Sequence, residues 1–498
     1  MIERPARHWP VFLALGLIFL AGLAIRLYDL TDPPLDFHPA RQFHSALISR
    51  GMFAASGGGD YTDWQRERAV AMGQAEAIIE PPVLETLVAW TYRAMGSEHL
   101  WVARIWSSLF WLLGGVFLWS LASRWSGPAG GLAAALYYLV LPYAVFASRS
   151  FQPDPLMVML ILAGLWALAG WLRAPSWGRA AAAGLLLGLA LLVKQVSVFV
   201  LGGAAAGLVL ASLPWRKALR TRQLWAIVVL AALPVAAYNL YGLLGAGFLG
   251  GQYSLRFFPR LWIDPAFYIR WAQKIDQTVG LGPFLLAALG TLLARSKPYR
   301  GLLIGWLAGY LVYGFTFAYH ISTHDYYQLP LIPWVALGLA PLAAWIYDGL
   351  RQAWPRAFAS AALAALLAAG SLFSLYQTRS TLKKADYRAE PALWYGLAGQ
   401  MNFDSGAVIG LFDDYGVRLQ YYGYLNPTYW FSTGDLEMRA LAGQEQAREE
   451  FAALTEGKAF FVVTHLEDFE RQPELKQLLE SYPLFAQGPG YLVYDLRP

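Results

Sequence analysis

The sequence predicts a mainly α-helical, polytopic transmembrane bundle of about 11 spans, followed by a small C-terminal α/β domain. Apolar runs of about 20 residues recur along the chain, and each could cross a hydrocarbon layer of about 30 Å. Only 14% of the 498 residues are charged and 57% are hydrophobic, whereas a soluble domain is about 25% charged. After residue 378 the charge density becomes ordinary and short β-like runs appear. We therefore expect a transmembrane domain over 1–378 and an extracytoplasmic domain over 379–498.

The apolar runs define the predicted spans, which are joined mostly by short loops. One run, 179–213, is too long for a single ordinary span and is interrupted at Lys194 and Gln195. We interpret it as a hairpin with two short arms, and a single tilted or re-entrant helix is the alternative. The predicted spans are 11–29, 101–122, 127–147, 154–173, 179–195, 196–213, 223–245, 278–295, 301–319, 327–349 and 357–377.

The distribution of Lys and Arg predicts the orientation of the bundle. Basic residues such as Arg4, Arg7 and Lys217 are concentrated in connections that lie on the same side of the membrane as the N-terminus. The positive-inside rule places that side in the cytoplasm. We expect a multi-pass protein of the plasma (inner) membrane, with the loops 30–100 and 246–277 and the C-terminal domain outside. The net charge of +5 could suggest a nucleic-acid partner, but the basic residues lie in short loops between apolar runs, which is a topology signal. We therefore expect membrane lipids and no nucleic acid as partners.

Short apolar runs after the last span predict the C-terminal α/β domain. Two β-like runs, 407–412 and 459–464, precede a helical stretch at 474–480 and a last strand at 490–494. Such alternation is typical of a small α/β domain. The chain has no cysteine, which excludes disulfides and thiolate chemistry.

The first candidate site segment follows the first predicted span. It brings Asp36, His38 and Arg41 close together in sequence, and ionisable groups beside a bilayer are functional candidates by default. The Asp36 carboxylate could accept a proton from an incoming hydroxyl, and His38 could assist or hold a divalent cation. The alternative is a solvated loop with a local Asp–Arg pair.

Two further candidates lie at outer turns between later spans. Asp154 directly precedes an apolar run, so it is either a helix N-cap or a second carboxylate opposite Asp36. Lys194 lies at the tip of the predicted hairpin, where its ammonium could meet a lipid phosphate; the alternative is a side chain that snorkels to the interface. Asp36, His38 and Asp154 are also the candidate ligands of a divalent cation, Mg or Mn.

Two polar segments complete the candidate set. Glu80 precedes two prolines that open an amphipathic surface helix, so it could bind acceptor or sugar, or be a helix-start charge. His324, Asp325 and Tyr326 enter the tenth span. They could bind phosphate, sugar or metal, although Tyr326 and Tyr327 are also typical of an interfacial aromatic belt.

Taken in order, these segments resemble the GT-C superfamily, in particular the branch of protein O-mannosyltransferases and the aminoarabinose transferases that modify lipid A. The resemblance covers about 10–378. Family members have an acidic motif in a long first outer loop, a juxtamembrane "PPL" helix, a second outer Asp, a later outer Lys and a "HYYLLPLLP"-like start of a late span. The matching stretches here are Asp36, Pro81-Pro82-Val83, Asp154, Lys194 and His324 to Pro333, HDYYQLPLIP.

One departure from the family pattern concerns the first loop. The family has Asp-Glu ahead of an "Ile-x-Arg-x-Met"-like tail, and alignment on Ile48, Arg50 and Met52 places Arg41-Gln42 at that acidic pair. Asp36 would then act from a shifted loop, and loss of activity is an open alternative. Glu80 likewise stands where many relatives have Lys.

The resemblance implies an enzyme that transfers sugar from a polyprenyl-phosphate donor to a glycan, lipid or protein acceptor, with inversion and no covalent enzyme intermediate. It implies Asp36 as base and Asp154 as a catalytic or metal-binding carboxylate. Lys194, Arg41 and His324 would bind the donor phosphate, while His38, Glu80, Asp325 and Tyr326 would contact acceptor or sugar. A membrane transporter or flippase of lipid-linked sugar, or an inactive scaffold derived from a transferase, is the alternative.

Overall fold

A computed structural model describes residues 9–250, 256–441, 443 and 447–497, and α-helices dominate this part of the chain. Arg4 and Arg7, which were used to predict orientation, lie outside the described residues. The α-helices are Trp9–Leu27, Pro39–Ala55, Asp63–Ala75, Val83–Met95, Trp101–Val140, Pro142–Ser148, Asp154–Arg173, Trp177–Val193, Ser197–Ser212, Trp215–Arg220, Arg222–Leu240, Pro265–Val279, Leu281–Leu293, Lys297–Thr316, Ala318–Thr323, Leu331–Ala353, Arg356–Lys384, Glu390–Gln400, Val417–Gly423, Thr433–Leu441, Ala447–Thr455, Leu466–Glu470 and Pro473–Leu479. A π-helical turn spans Tyr241–Gly245, and 3-10 turns span Pro259–Ile263, Asp325–Gln328, Ser405–Ala407 and Asp413–Gly416.

Each predicted span overlaps one of these helices. Among the described residues, six helices are long and apolar enough to cross a membrane, or seven if the bent pair Pro265–Val279 and Leu281–Leu293 forms one span. The helix Trp101–Val140 contains two predicted spans and is broken at Gly127, whose φ is 70°. The run predicted as a hairpin is divided after Val193 into two shorter apolar helices. The protein is therefore rich in apolar helices, and the number of 11 spans stays a prediction.

By its internal contacts the chain forms two compact units. The first contains 9–30, 78–84 and 103–384, and thus nearly all of the apolar helices. The second contains 31–77 and 85–102 together with the C-terminal residues from Ala385 onward. The long first loop, which the sequence prediction grouped with the membrane spans, therefore packs with the C-terminal residues.

The C-terminal residues form a five-stranded mixed sheet in the order β2-β1-β3-β5-β4. β1 pairs in parallel with β2 and β3, whereas β5 is antiparallel to both β3 and β4. The predicted runs at 407–412, 459–464 and 490–494 correspond to β1, β3 and β5, and the predicted helical stretch is Pro473–Leu479. The strands are β1 Val408–Leu411, β2 Thr428–Tyr429, β3 Phe460–Val463, β4 Leu484–Gly488 and β5 Tyr491–Asp495.

Helices cover both faces of this sheet. Val408 and Val462 pack with the helix that carries Trp394, while Ile409 and Phe461 pack on the opposite face. A strand that is buried on both faces needs an uninterrupted apolar run, which explains why β1 and β3 are recognisable in the sequence.

Candidate functional site

Asp154 and Lys194 form a salt bridge inside the first unit. Asp154 begins the helix Asp154–Arg173, and Lys194 follows the end of the next helix, Trp177–Val193. Lys194 Nζ donates to Asp154 Oδ1 over 2.6 Å, and the two side chains are 13% and 2% exposed. The Lys194 head group is therefore paired and largely shielded from water, which differs from a side chain that snorkels to the interface.

Aromatic and histidine rings lie beside this ion pair. The ring of Tyr326 is 5.9 Å from Lys194 Nζ, 5.4 Å from the ring of His324 and 5.1 Å from that of Tyr327. The ring of His320 stacks on those of Tyr327 at 5.5 Å and His324 at 5.7 Å. The structure thus brings Asp154, Lys194 and the predicted segment at His324–Tyr326 together.

Buried hydrogen bonds hold the 3-10 turn Asp325–Gln328 in place. The fully buried Gln328 accepts a hydrogen bond from Tyr310 and donates to the carbonyl of Ile321 over 2.7 Å. Trp271 in turn donates to the Tyr310 hydroxyl over 2.6 Å. Because these side chains form a continuous series of hydrogen bonds, the turn that carries Tyr326 is held rigidly.

The imidazole of His320 is held in its neutral form. Burial, with smaller contributions from His324 and Arg256, lowers the pKa of His320 from 6.5 to about 4. A neutral imidazole can accept as well as donate a hydrogen bond at neutral pH. At neutral pH His320 therefore adds no positive charge to the group of rings beside the ion pair.

The first-loop candidates Asp36, His38 and Arg41 lie in the second unit. All three side chains are half-buried, and His38, at a φ of 42°, directly precedes the helix Pro39–Ala55. The negative charge of Asp36 contributes, after burial, to raising the pKa of Tyr387. Asp36 therefore faces the start of the C-terminal residues.

Gln42, which stands where the resemblance predicts an acid, has a structural role as an amide. Its amide nitrogen donates to the carbonyl oxygens of Pro34 at 3.1 Å and Phe37 at 2.5 Å, and the side chain is fully buried. A glutamate at this position would have no proton to donate when ionised. Gln42 thus stabilises the loop that carries Asp36.

Glu80 and Asp325 have different surroundings. Glu80 is half-buried and precedes Pro81, and the helix that follows begins at Val83. Asp325 begins its 3-10 turn, and its carbonyl accepts from Thr278 over 3.4 Å.

No metal-binding group forms within the described ranges. No three His, Asp or Glu side chains there are placed to hold a metal ion. The divalent cation and its ligands Asp36, His38 and Asp154 stay a prediction from the sequence.

Comparison with known proteins adds to this geometry. Residues 80–241 match the family model of the dolichyl-phosphate-mannose-protein mannosyltransferases. A curated relative, lipid A galacturonosyltransferase RgtD of Rhizobium johnstonii, is 31% identical over 128 residues. This match covers 25% of the chain and only 27% of the relative.

Solved structures match nearly the whole chain. ArnT from Cupriavidus metallidurans bound to undecaprenyl phosphate has a TM-score of 0.58 and 18% identity, with 98% of each chain covered. AglB from Archaeoglobus fulgidus, in complex with an inhibitory peptide and a dolichol-phosphate, has a TM-score of 0.53 and 12% identity over 99% of this chain and 74% of that one. These likenesses show that the chain shares the fold of ArnT and AglB. The family model covers Glu80, Asp154 and Lys194, whereas Asp36 and His324 lie outside it.

Several buried arginines that the sequence does not single out lie near the turn before Asp154. Arg149 Nη2 donates to the carbonyl of Asp29 over 2.9 Å, and Arg104 Nη1 to that of Leu30 over 2.9 Å. Arg26 Nε donates to Ser148 Oγ over 2.7 Å. Three buried guanidinium groups near the turn before Asp154 favour an anion there, and their only sequence signal is a charge at the edge of an apolar run.

Gln152 was also missed. This residue is 1% exposed, and neither polar atom of its side-chain amide has a hydrogen-bond partner among the described residues. Because a buried unpaired polar group costs about 1–3 kcal/mol, Gln152, two residues before Asp154, is a candidate for contact with a substrate.

Proposed function

We propose that this protein transfers a sugar from a polyprenyl-phosphate donor to an extracytoplasmic glycan, lipid or protein acceptor, with inversion at the anomeric carbon. The observation that carries this proposal is the shielded Lys194–Asp154 pair beside the ring of Tyr326. The likeness to ArnT bound to undecaprenyl phosphate and to AglB with a dolichol-phosphate supports the donor class.

Lys194 has the chemistry required of a donor-phosphate ligand. Its ammonium has three protons, so it can donate to Asp154 and still donate to a phosphate oxygen. In a site with little water, a fixed cation stabilises the negative charge that grows on the departing phosphate more strongly than water would. Asp154 would then position this cation, and His324 and Arg41 stay additional proposed ligands of the phosphate.

We propose that the acceptor displaces the polyprenyl phosphate from the sugar in one step. The acceptor oxygen forms a bond to the anomeric carbon while the bond from that carbon to the phosphate oxygen breaks. The acceptor proton goes to a carboxylate, for which we propose Asp36, and both electrons of the broken bond stay on the polyprenyl phosphate. No step in this scheme passes through a metal ion, and chelation of divalent cations tests the cation prediction.

The decisive experiment is transfer by the purified full chain in detergent. Undecaprenyl phosphate carrying labelled mannose or galacturonic acid would be supplied with a lipid A extract, and movement of label out of the donor would be followed. We expect transfer with at least one donor. Lys194→Met should reduce the rate by roughly 10²–10³-fold, and Asp36→Asn should reduce it as well. The matched control is Lys217→Met, because Lys217 is exposed and lies on the separate short helix Trp215–Arg220.

The same assay distinguishes the alternative functions. A transporter or flippase would move the labelled donor across the membrane of sealed vesicles and would transfer no label to an acceptor in detergent. A scaffold would show neither activity, and its cellular phenotype would survive Asp36→Asn and Asp154→Asn. Either result would overturn the proposal.

A further inference from the structure

The first unit contains a large apolar groove that shares no residue with the Asp154–Lys194 site. It has a volume of about 1080 Å³ and is lined by the helices Trp9–Leu27, Leu331–Ala353 and Arg356–Lys384 together with the segment around Gly127. This volume exceeds the roughly 300–1,000 Å³ of pockets for small ligands. The groove therefore fits a molecule with long hydrocarbon chains.

The charged side chains that line the groove lie at one end. Arg295 and Asp348 form a salt bridge of 3.4 Å in which Arg295 remains 80% exposed. Arg351 follows Asp348 by less than one helical turn, and its guanidinium lies 5.7 Å from the ring of Tyr347. Two guanidinium groups and one carboxylate leave a single positive charge at this end.

The helix break at Gly127 shapes the wall next to this end. Its left-handed φ of 70° interrupts the helix Trp101–Val140, and small residues such as Ser126 and Ala129 line the groove there. On the opposite wall the helix Arg356–Lys384 is poorly covered, with Leu372 69% exposed. The groove is thus open along an apolar side and closed by charge at one end.

We propose that this groove binds one anionic phospholipid with two acyl chains. The acyl chains would lie along the apolar walls and make van der Waals contacts with their side chains. The phosphate would accept hydrogen bonds from Arg351 and Arg295, and its single negative charge balances the single positive charge of the groove end. The interaction goes beyond the proposed transfer reaction, because it requires neither donor nor acceptor.

The charge pattern favours a phospholipid over the polyprenyl-phosphate donor. Arg295 and Arg351 belong to connections that the positive-inside rule places in the cytoplasm, and anionic lipids attract basic residues at that surface. The proposed donor ligand Lys194 belongs to a connection that the same rule places outside. A donor head group would therefore be expected at Lys194.

Native mass spectrometry of the full chain, titrated with lipid, tests this inference. We expect phosphatidylglycerol to be retained at least about tenfold more tightly than phosphatidylcholine with the same acyl chains. The double substitution Arg295→Gln with Arg351→Gln should remove this preference, whereas Arg216→Gln, at an exposed arginine outside the groove, should leave it intact. Ala364→Trp, which fills the groove, should weaken retention of both lipids.

Two results would overturn the inference. One is equal retention of phosphatidylglycerol and phosphatidylcholine by the unchanged protein. The other is a groove substitution that weakens retention of undecaprenyl phosphate and leaves that of phosphatidylglycerol unchanged, since the groove would then hold the donor tail. Lys194→Met separates this inference from the proposed function, because it should reduce sugar transfer without changing retention of phosphatidylglycerol.

Discussion

The environment of His320 makes the stability of the bundle depend on pH. Its folded-state pKa of about 4 lies below the ordinary value of 6.5, so between these values the unfolded chain binds a proton that the folded protein does not. Stability from this residue is complete above pH 6.5 and is lost as the pH falls towards 4. We expect at most about 3 kcal/mol from this source.

Thermal unfolding in detergent checks this dependence. Between pH 7 and pH 4.5 the midpoint should fall less in His320→Phe than in the unchanged protein. His99→Phe, at an exposed histidine, should behave like the unchanged protein. Parallel curves for all three proteins would contradict the prediction.

Placing an acid at position 42, where the family resemblance predicts one, should destabilise the protein. Gln42→Glu would leave the carbonyls of Pro34 and Phe37 without their donor and would bury a charge, at a cost of at least about 2 kcal/mol. The melting temperature should fall clearly for Gln42→Glu and little for Gln400→Glu, whose side chain is exposed. Equal melting temperatures would show that the amide is not needed.

The buried amide of Gln152 should matter for activity and not for stability. Gln152→Leu removes a polar group that has no partner within the described chain, so the melting temperature should stay the same or rise. If the amide contacts a substrate, kcat/KM for sugar transfer should fall roughly tenfold or more. An unchanged kcat/KM would remove Gln152 from the site.

At the scale of elements, glycines bring two helices of the first unit into close contact. A Cβ atom added to Gly207, on Ser197–Ser212, would overlap the carbonyl oxygen of Gly301 on Lys297–Thr316, and one on Gly203 would overlap that of Gly305. Small residues at such spacing allow helix backbones to approach closely in a membrane. This contact fixes the helix that begins three residues after Lys194.

Gly207→Leu should separate these helices and lower the melting temperature, with an expected loss of roughly 1–3 kcal/mol. The matched control is Gly202→Leu on the same helix, because a Cβ there meets no atom within 4 Å. A similar fall in melting temperature for both substitutions would show that the close contact is not responsible, since leucine is the better helix former at either position.

The sequence predicted elements with a strong local pattern and missed those without one. β1 and β3 are uninterrupted apolar runs because both faces of each strand are buried. β2 has only two residues, and β4 is largely exposed and pairs only with β5, so neither has a periodic signal. The same limit applies to the 11 spans, since a hydrophobic pattern identifies helices without showing which cross the membrane.

The sequence could predict which residues are candidates for the site, but not which of them contact one another. Asp154 and Lys194 are both candidates because of their charge beside apolar runs, but their contact joins the start of one helix to the residue after the end of the next. No local pattern encodes such a contact. The structural role of Gln42 was hidden for a related reason, because its partners are backbone carbonyls.

At the scale of the whole molecule, a buried ion pair joins the first loop to the C-terminal residues within the second unit. Arg50 Nε donates to both carboxylate oxygens of Glu98 over 3.0 Å, and Glu98 accepts a hydrogen bond from the hydroxyl of Tyr61 over 2.5 Å. The hydroxyl of Tyr421 donates to Glu98 as well, and the Arg50 guanidinium lies 3.4 Å from the ring of Tyr421.

Glu98→Gln should therefore destabilise the whole second unit. It leaves the buried Arg50 guanidinium without its counter-charge, which typically costs about 3–5 kcal/mol. Limited proteolysis should cut the C-terminal residues faster in Glu98→Gln than in Glu437→Gln, a control at an exposed position. Equal cleavage rates would show that this pair does not hold the unit together.

Since the ribosome makes residues 31–102 before 103–384 and residues 385–497 after both, the second unit cannot be completed until the helices of the first unit have been synthesised. The Phe43 ring cannot be buried against its partners until Tyr421 and Tyr422 have been made, because these rings pack on it at 5.0 Å and 5.4 Å. During that interval the early segment exposes surface that a chaperone or the lipid interface must shelter. A chain that stops early would leave this surface permanently open to aggregation and to quality-control proteases.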